Sequence, residues 1–166
     1  MQRYDLNALA EAVGDALHER GLMLVTAESC TGGGVAQRIT AIAGSSEWFE
    51  RGFVTYTNIS KEEMLGVTRK TLTQHGAVSE ETVREMVTGA LARSHGHVAL
   101  AVSGIAGPGG GSLDKPVGMV WFAWGGVAYP MVSRCVNFSG NRAEVRVQAV
   151  EVALLGILEL LTGRAR

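Results

Sequence analysis

The segment Val98-Ala99-Leu100-Ala101-Val102 is apolar at every position, with none of the alternation of a half-exposed strand. Such a run suits a strand covered on both faces, and that in turn calls for a parallel sheet lying between two layers of helix. The run empties into Ser103-Gly104-Ile105-Ala106-Gly107-Pro108-Gly109-Gly110-Gly111, a glycine-rich loop. A second strand reads from Leu22 to Ala27, and it too meets glycines, in Thr26-Ala27-Glu28-Ser29-Cys30-Thr31-Gly32-Gly33-Gly34, before a helix over Val35 to Ile42. In open α/β sheets the ligand crevice lies beyond the carboxyl ends of the strands. Both glycine loops are therefore expected on one edge of the sheet.

The remaining pattern fills out that architecture. Leu6, Leu9, Ala10, Val13, Ala16 and Leu17 recur at helical spacing before Gly21. Phe53-Val54-Thr55-Tyr56 reads as a strand, after which Asn58 or Ser60 caps a short helix through Met64-Leu65. Ser79 starts a helix with an apolar stripe at Val83, Met86, Val87, Ala90 and Leu91, closed by Gly96. Val117 to Trp124 and Met131 to Phe138 read as a hairpin turning at Gly125-Gly126, with Pro130 at an irregular strand start. Asn141 and Glu144 form a capping box for a helix continuing over Val145 to Leu161. The fold class is α/β: a single three-layer α/β/α domain over residues 1–166, with a mixed sheet that includes a C-terminal β-hairpin.

Composition removes several function classes. With 166 residues, 46% of them hydrophobic, the chain can bury one real core. A formal net charge of −1 gives no bulk attraction to nucleic acid or to an anionic membrane. No apolar run reaches the roughly 18 residues that span a bilayer, and Met1 to Asp5 lead into an amphipathic pattern and not a signal-peptide core. A cytoplasmic protein is expected. Cys30 and Cys135 are too few for a disulfide framework, and His18, His75, His95 and His97 lack metal-site spacing, so neither metal nor cofactor is expected.

The chemistry concentrates at the first glycine corner. A helix start has N–H groups without internal partners, and glycines leave them accessible to an anion or a developing oxyanion. Ser29 is placed there as a nucleophile, against the plainer reading in which Ser29 or Thr31 only caps the helix. The pattern is neither a P-loop nor a Gly-x-Ser-x-Gly elbow. Lys61 falls in the first turn of the short helix, where the positive end of the dipole disfavours a cation and favours the neutral amine. Arg142 and Arg146, four residues apart, share a face at the start of the last helix and suit an anion pocket or a paired helix end. Cys30 competes with Ser29, because a thiolate at a helix start would be stabilised.

Five ordered motifs carry a resemblance. Ala27-Glu28-Ser29-Cys30-Thr31-Gly32-Gly33, Tyr56-Thr57-Asn58-x-x-Lys61, Ser103-Gly104-Ile105-Ala106-Gly107-Pro108-x-Gly110-Gly111, Lys115-Pro116-Val117-Gly118 and Phe138-x-Gly140-x-Arg142 resemble the CinA C-terminal domain family over nearly the whole chain. The resemblance implies a nicotinamide-nucleotide amidase that converts nicotinamide mononucleotide to nicotinate mononucleotide and ammonia, commonly as a homo-oligomer. It also implies the stand-alone form, without the molybdopterin-binding-like domain of longer members. Ser103, Gly34 and Asn141 depart from many relatives, which have Thr, a larger apolar residue and Asp there. Ser103 keeps the hydroxyl, whereas Asn141 brings no charge.

Together these readings make Ser29 the nucleophile, Lys61 the base, and Tyr56 and Ser103 groups that relay protons or orient Lys61. N–H groups from Thr31 through Gly32 to Gly33 hold the oxyanion, and Asn58, Gly107, Gly109 and Arg142 complete substrate binding. Arg142 is assigned to the 5′-phosphate, with pairing to Glu144 or Glu28 as the structural alternative. A nucleotide-binding regulatory module without turnover is the competing class of function.

Overall fold

The computed structural model describes residues 5–165, so the reading of Met1 to Tyr4 lies outside the described residues. Five strands form one mixed sheet in the order β2-β1-β3-β4-β5. β1 (Leu24–Glu28) runs parallel to β2 (Phe49–Val54) and to β3 (Val98–Gly104), while β4 (Met119–Gly126) and β5 (Tyr129–Asn137) complete the sheet antiparallel. β1 and the apolar run of β3 are buried as their lack of alternation requires, since helices cover both faces.

One layer holds α1 (Leu6–His18), α2 (Gly34–Thr40) and α6 (Arg142–Leu161), whose side chains meet Leu24, Leu100, Phe122 and Trp124 in one core. The other holds α3 (Asn58–Leu65), α4 (Arg69–His75) and α5 (Glu80–Ala92), packed on Val25, Ala27, Ala99 and Ala101. The three-layer α/β/α domain is therefore present, mixed sheet and hairpin included. α6 is broadly apolar because its middle is buried: Ala149 to Leu154 are all buried, and Trp124 Nε1 donates to the Ala153 carbonyl at 2.9 Å.

Several local expectations need correction. The hairpin turns at Val127-Ala128, with Gly126 paired to Tyr129. Gly125 and Gly126 lie inside β4, where a Cβ at Gly126 would come within 2.6 Å of the His97 carbonyl oxygen; close backbone approach, and not a turn, demands glycine. Pro130 is the second residue of β5, tolerated because that strand is an edge. Thr57, and neither Asn58 nor Ser60, caps α3, with Ser60 returning the bond to the Thr57 N–H. α5 ends at Ala92 with Arg93 as its cap, and Gly96 instead makes room for Val25 of β1. The sequence reading passes over α4, although Thr68 caps it and Gly76 ends it.

Candidate active site

Ser29 follows the last residue of β1, and its N–H donates to the Val102 carbonyl of β3 at 2.9 Å, which ties the candidate nucleophile to the centre of the sheet. Its side chain meets Lys61. The Lys61 Nζ donates to Ser29 Oγ at 2.9 Å and to the Thr55 carbonyl oxygen at 2.7 Å. Lys61 is only 1% exposed, and Thr55 is held in turn by its own N–H donating to the Glu28 carbonyl. Burial pulls the Lys61 ammonium down from its ordinary 10.5 to about 8. The expected direction, towards the neutral amine, is present, but its cause is desolvation by burial and not the helix dipole. A serine hydroxyl in contact with a readily neutralised amine is the arrangement of an activated nucleophile.

The start of α2 differs from expectation. Gly33 is the cap residue and offers no side chain; the Glu28 carboxylate takes its place. Glu28 Oε1 accepts from the Val35 N–H at 2.8 Å and the Thr31 hydroxyl at 2.7 Å, and Oε2 from the Ala36 N–H at 3.0 Å. The helix end therefore serves an internal anion. The Gly32 N–H is also engaged, donating to the Ser29 carbonyl. Gly32 and Gly33 have φ of 60° and 93°, so left-handed backbone, more than access, explains the paired glycines. Among the described residues the N–H groups of Cys30, Thr31 and Gly33 donate to no other residue and are the donors this corner leaves for an oxyanion; of the three, Cys30 lines the cleft.

Arg142 and Arg146 do not converge on one anion. Arg142 Nη1 donates to the Gly107 carbonyl at 2.8 Å and Nη2 to Tyr56 Oη at 2.9 Å, and it pairs with neither Glu28 nor Glu144. Glu144 instead caps α6, accepting from the Asn141 N–H. Arg146 grips the Ser29 turn from outside, donating to the carbonyls of Cys30 at 3.1 Å and Thr31 at 3.2 Å. Ser103 is buried and donates to the Ala77 carbonyl at 2.8 Å. Tyr56, 58% exposed, touches the site through Arg142 and makes no hydrogen bond to Lys61.

Ser29, Lys61, Tyr56, Ser103 and Arg142 nevertheless line one cleft of about 160 Å³, together with Cys30, Ala77, Val78, Gly104 and Ala106. A cavity of about 150 Å³ admits a benzene-sized ring, so the volume of this cleft is of the order of one aromatic ring. A larger cavity of about 580 Å³ lies between β5 and the end of α6, but in its lining of Arg134, Leu155, Leu158, Glu159, Thr162 and Arg164 the Thr162 hydroxyl donates to helix carbonyls and Glu159 pairs with Arg134, and neither meets a buried base.

Other sequence candidates fall elsewhere. Asn58 is exposed on the first turn of α3 and does not line the cleft, and Gly109 stands in open space on the loop. Gly107 contributes through its carbonyl, with φ of 85°. The Thr31 side chain is committed to Glu28. The Cys30 thiol is pushed up to about 11, chiefly by burial, so the expected stabilised thiolate is absent; Glu28 adds to the rise. Sequence reasoning missed the work of Glu28, Arg146 and the Ala77-Val78 segment. Only Glu28 left a signal, as an acid directly before Ser29.

No group of three or more His, Cys, Asp or Glu residues suited to a metal occurs among the described residues, and no helix there is long and apolar enough to cross a membrane. The chain is 56% identical over 150 residues to a nicotinamide-nucleotide amidohydrolase PncC of Escherichia coli strain K12, covering 90% of this chain and 91% of that protein. It is 50% identical over 157 residues to the protein of the same name from Pseudomonas putida, covering 95% and 98%. The crystal structure of competence/damage inducible protein CihA from Agrobacterium tumefaciens superposes with a TM-score of 0.93 at 45% identity, over 96% of this chain and 98% of that one. The CinA C-terminal domain model matches residues 6–161, and the chain belongs to that family.

Proposed function

We propose that this chain hydrolyses the carboxamide of nicotinamide mononucleotide, releasing nicotinate mononucleotide and ammonia. The observation that carries the reading is the buried Ser29–Lys61 contact in the wall of a ring-sized cleft. The names of the relatives from Escherichia coli and Pseudomonas putida supply the substrate. Neutral Lys61 donates one N–H to the Thr55 carbonyl and turns its lone pair to the Ser29 hydroxyl. Ser29 Oγ bonds to the carboxamide carbon as its proton passes to Lys61, and the oxyanion meets the N–H groups of Cys30 and Thr31. Lys61 returns the proton to nitrogen, the C–N bond breaks and ammonia leaves. Water, deprotonated by the same lysine, then releases the carboxylate and regenerates Ser29. A cationic pyridinium ring makes the carboxamide carbon more electrophilic. The working form we propose is a cytoplasmic homo-oligomer acting on this small molecule, independent of nucleic acid and membrane.

The reading is tested by ammonia release from nicotinamide mononucleotide. Because Ser29 and Lys61 supply nucleophile and base, turnover is expected to survive treatment with a metal chelator at its untreated rate. Complete loss on chelation with rescue by one divalent ion would remove the Ser–Lys mechanism. Binding of the mononucleotide without any turnover would favour the regulatory module.

Arg142 stands at the cleft rim and carries the expectation for the 5′-phosphate, its planar fork being suited to phosphate oxygens. On a Ser29→Ala background, Arg142→Ala is expected to weaken nucleotide binding about ten- to hundredfold, the equivalent of a charge-assisted bond of roughly 1.5–3 kcal/mol, and to affect the dephosphorylated riboside much less. Tyr56→Phe is the control, because it removes the hydroxyl that Arg142 holds but keeps the guanidinium. Equal losses for both ligands would assign Arg142 to bracing Tyr56 and the Gly107 carbonyl.

A further inference from the structure

Glu28 is fully buried, adjoins the nucleophile in sequence, and has no part in the bond-making steps above. We propose that Glu28 is a positioning residue for the Ser29 reaction: its carboxylate fixes the Thr31 hydroxyl and the first amides of α2, and so sets the turn that aims Ser29 at Lys61 and leaves the Cys30 and Thr31 N–H groups open to the oxyanion. The inference rests on Ser29 being the nucleophile.

Three donors converge on this carboxylate, two on Oε1 and one on Oε2, all within 3.0 Å. The donors belong to residues 31, 35 and 36, so one side chain spans the whole interval between the nucleophile turn and the helix. The backbone of Glu28 adds a second restraint: its carbonyl accepts the Thr55 N–H, and Thr55 presents the carbonyl to which Lys61 donates. Nucleophile, oxyanion donors and base are thus referred to one residue. Arg146 holds the opposite side of the turn through the carbonyls of Cys30 and Thr31, which keeps those peptide groups oriented with their oxygens away from the cleft chemistry.

A glutamine has nearly the same shape but presents an NH₂ where one carboxylate oxygen stood. Whichever way its amide lies, an N–H then faces a donor: the Ala36 N–H in one orientation, the Thr31 hydroxyl and Val35 N–H in the other. An aspartate is one methylene too short to make all three contacts. The corner is expected to shift by a fraction of an ångström, enough to disturb a near-attack geometry without closing the cleft.

The test is steady-state kinetics of Glu28→Gln on nicotinamide mononucleotide, with the folded fraction fixed by circular dichroism. We expect kcat to fall about 10- to 100-fold while KM stays within about threefold, because the cleft lining is unchanged and only the reacting geometry moves. Thr31→Val, which removes one of the three donors and keeps its volume, is expected to lower kcat about three- to tenfold with the same unchanged KM. It decides the matter should Glu28→Gln not fold. Wild-type kcat per folded molecule in Glu28→Gln, whatever its melting temperature, would overturn the inference and leave Glu28 a helix cap only. Activity persisting in Ser29→Ala would instead sink the nucleophile assignment beneath it.

Discussion

Ser29→Ala is expected to lower kcat by roughly 10⁴-fold or more, with substrate affinity changed little and the fold intact. The size of the effect follows from what the hydroxyl does in the proposed reaction: it forms the covalent bond, and no neighbouring group can take over. Cys30 is the obvious substitute, yet its thiol is pushed up to about 11 by burial, so at neutral pH almost none is ionised. Loss of the hydroxyl also costs little structure. The Ser29 backbone is held through its own N–H by Val102, and Lys61 keeps its bond to the Thr55 carbonyl. The check is a pairing of turnover with ligand binding: ammonia release should vanish into background while titration with the mononucleotide gives a near-normal Kd. Cys30→Ala should stay active. Label trapped on Cys30, together with turnover by Ser29→Ala, would transfer the role to the thiol.

The residues that proved legible in the sequence are those whose role depends on chain position. An unbroken apolar run implies a strand covered twice, and β3 is one; Ser29 and Lys61 follow strand ends, and the sheet brings strand ends together. What stayed hidden depends on contacts between distant segments. Gly126 looked like a turn because a glycine that avoids the His97 carbonyl and one that bends a hairpin leave the same letter. Ser29 and Thr31 offer themselves as caps only as the plainer alternative to a nucleophile corner, and neither reading shows that the cap is a carboxylate reaching forward from the strand. Arg142 and Arg146 sit four apart and share a helix face, which suits an anion pocket or a paired helix end, yet their long side chains diverge to Tyr56 and to the Ser29 turn. Side-chain reach, unlike register, is not encoded in spacing.

Lys61→Met is expected to reduce kcat/KM by about 10³-fold, within the range for loss of a positioned general base and its proton delivery. The same lysine sets the pH dependence of the wild-type enzyme. Its folded value is lowered to about 8, so the neutral amine is the minor form at pH 6 and predominates at pH 9; kcat/KM should climb about tenfold per pH unit below 8 and level off above it. Stability carries the opposite half of the linkage. Unfolded, the lysine returns to an ordinary value near 10.5. Below pH 8 both states bind the proton and the full cost of burying it is felt. Between about 8 and 10.5 the unfolded chain holds more protons, so folding becomes more favourable as pH rises, by up to about 3 kcal/mol. Lys61→Met removes the proton and should lose that gain, its stability rising less with pH than the wild type's across this window. Lys61→Arg keeps a charge that cannot be shed, so it should be inactive and less stable than wild type throughout. A kcat/KM profile flat from pH 6 to 9, or near-normal turnover by Lys61→Arg, would exclude Lys61 as the base. The cost of burying an ammonium that has no carboxylate partner among the described residues is the physical reason this lysine sheds its proton readily enough to serve as a base near neutrality.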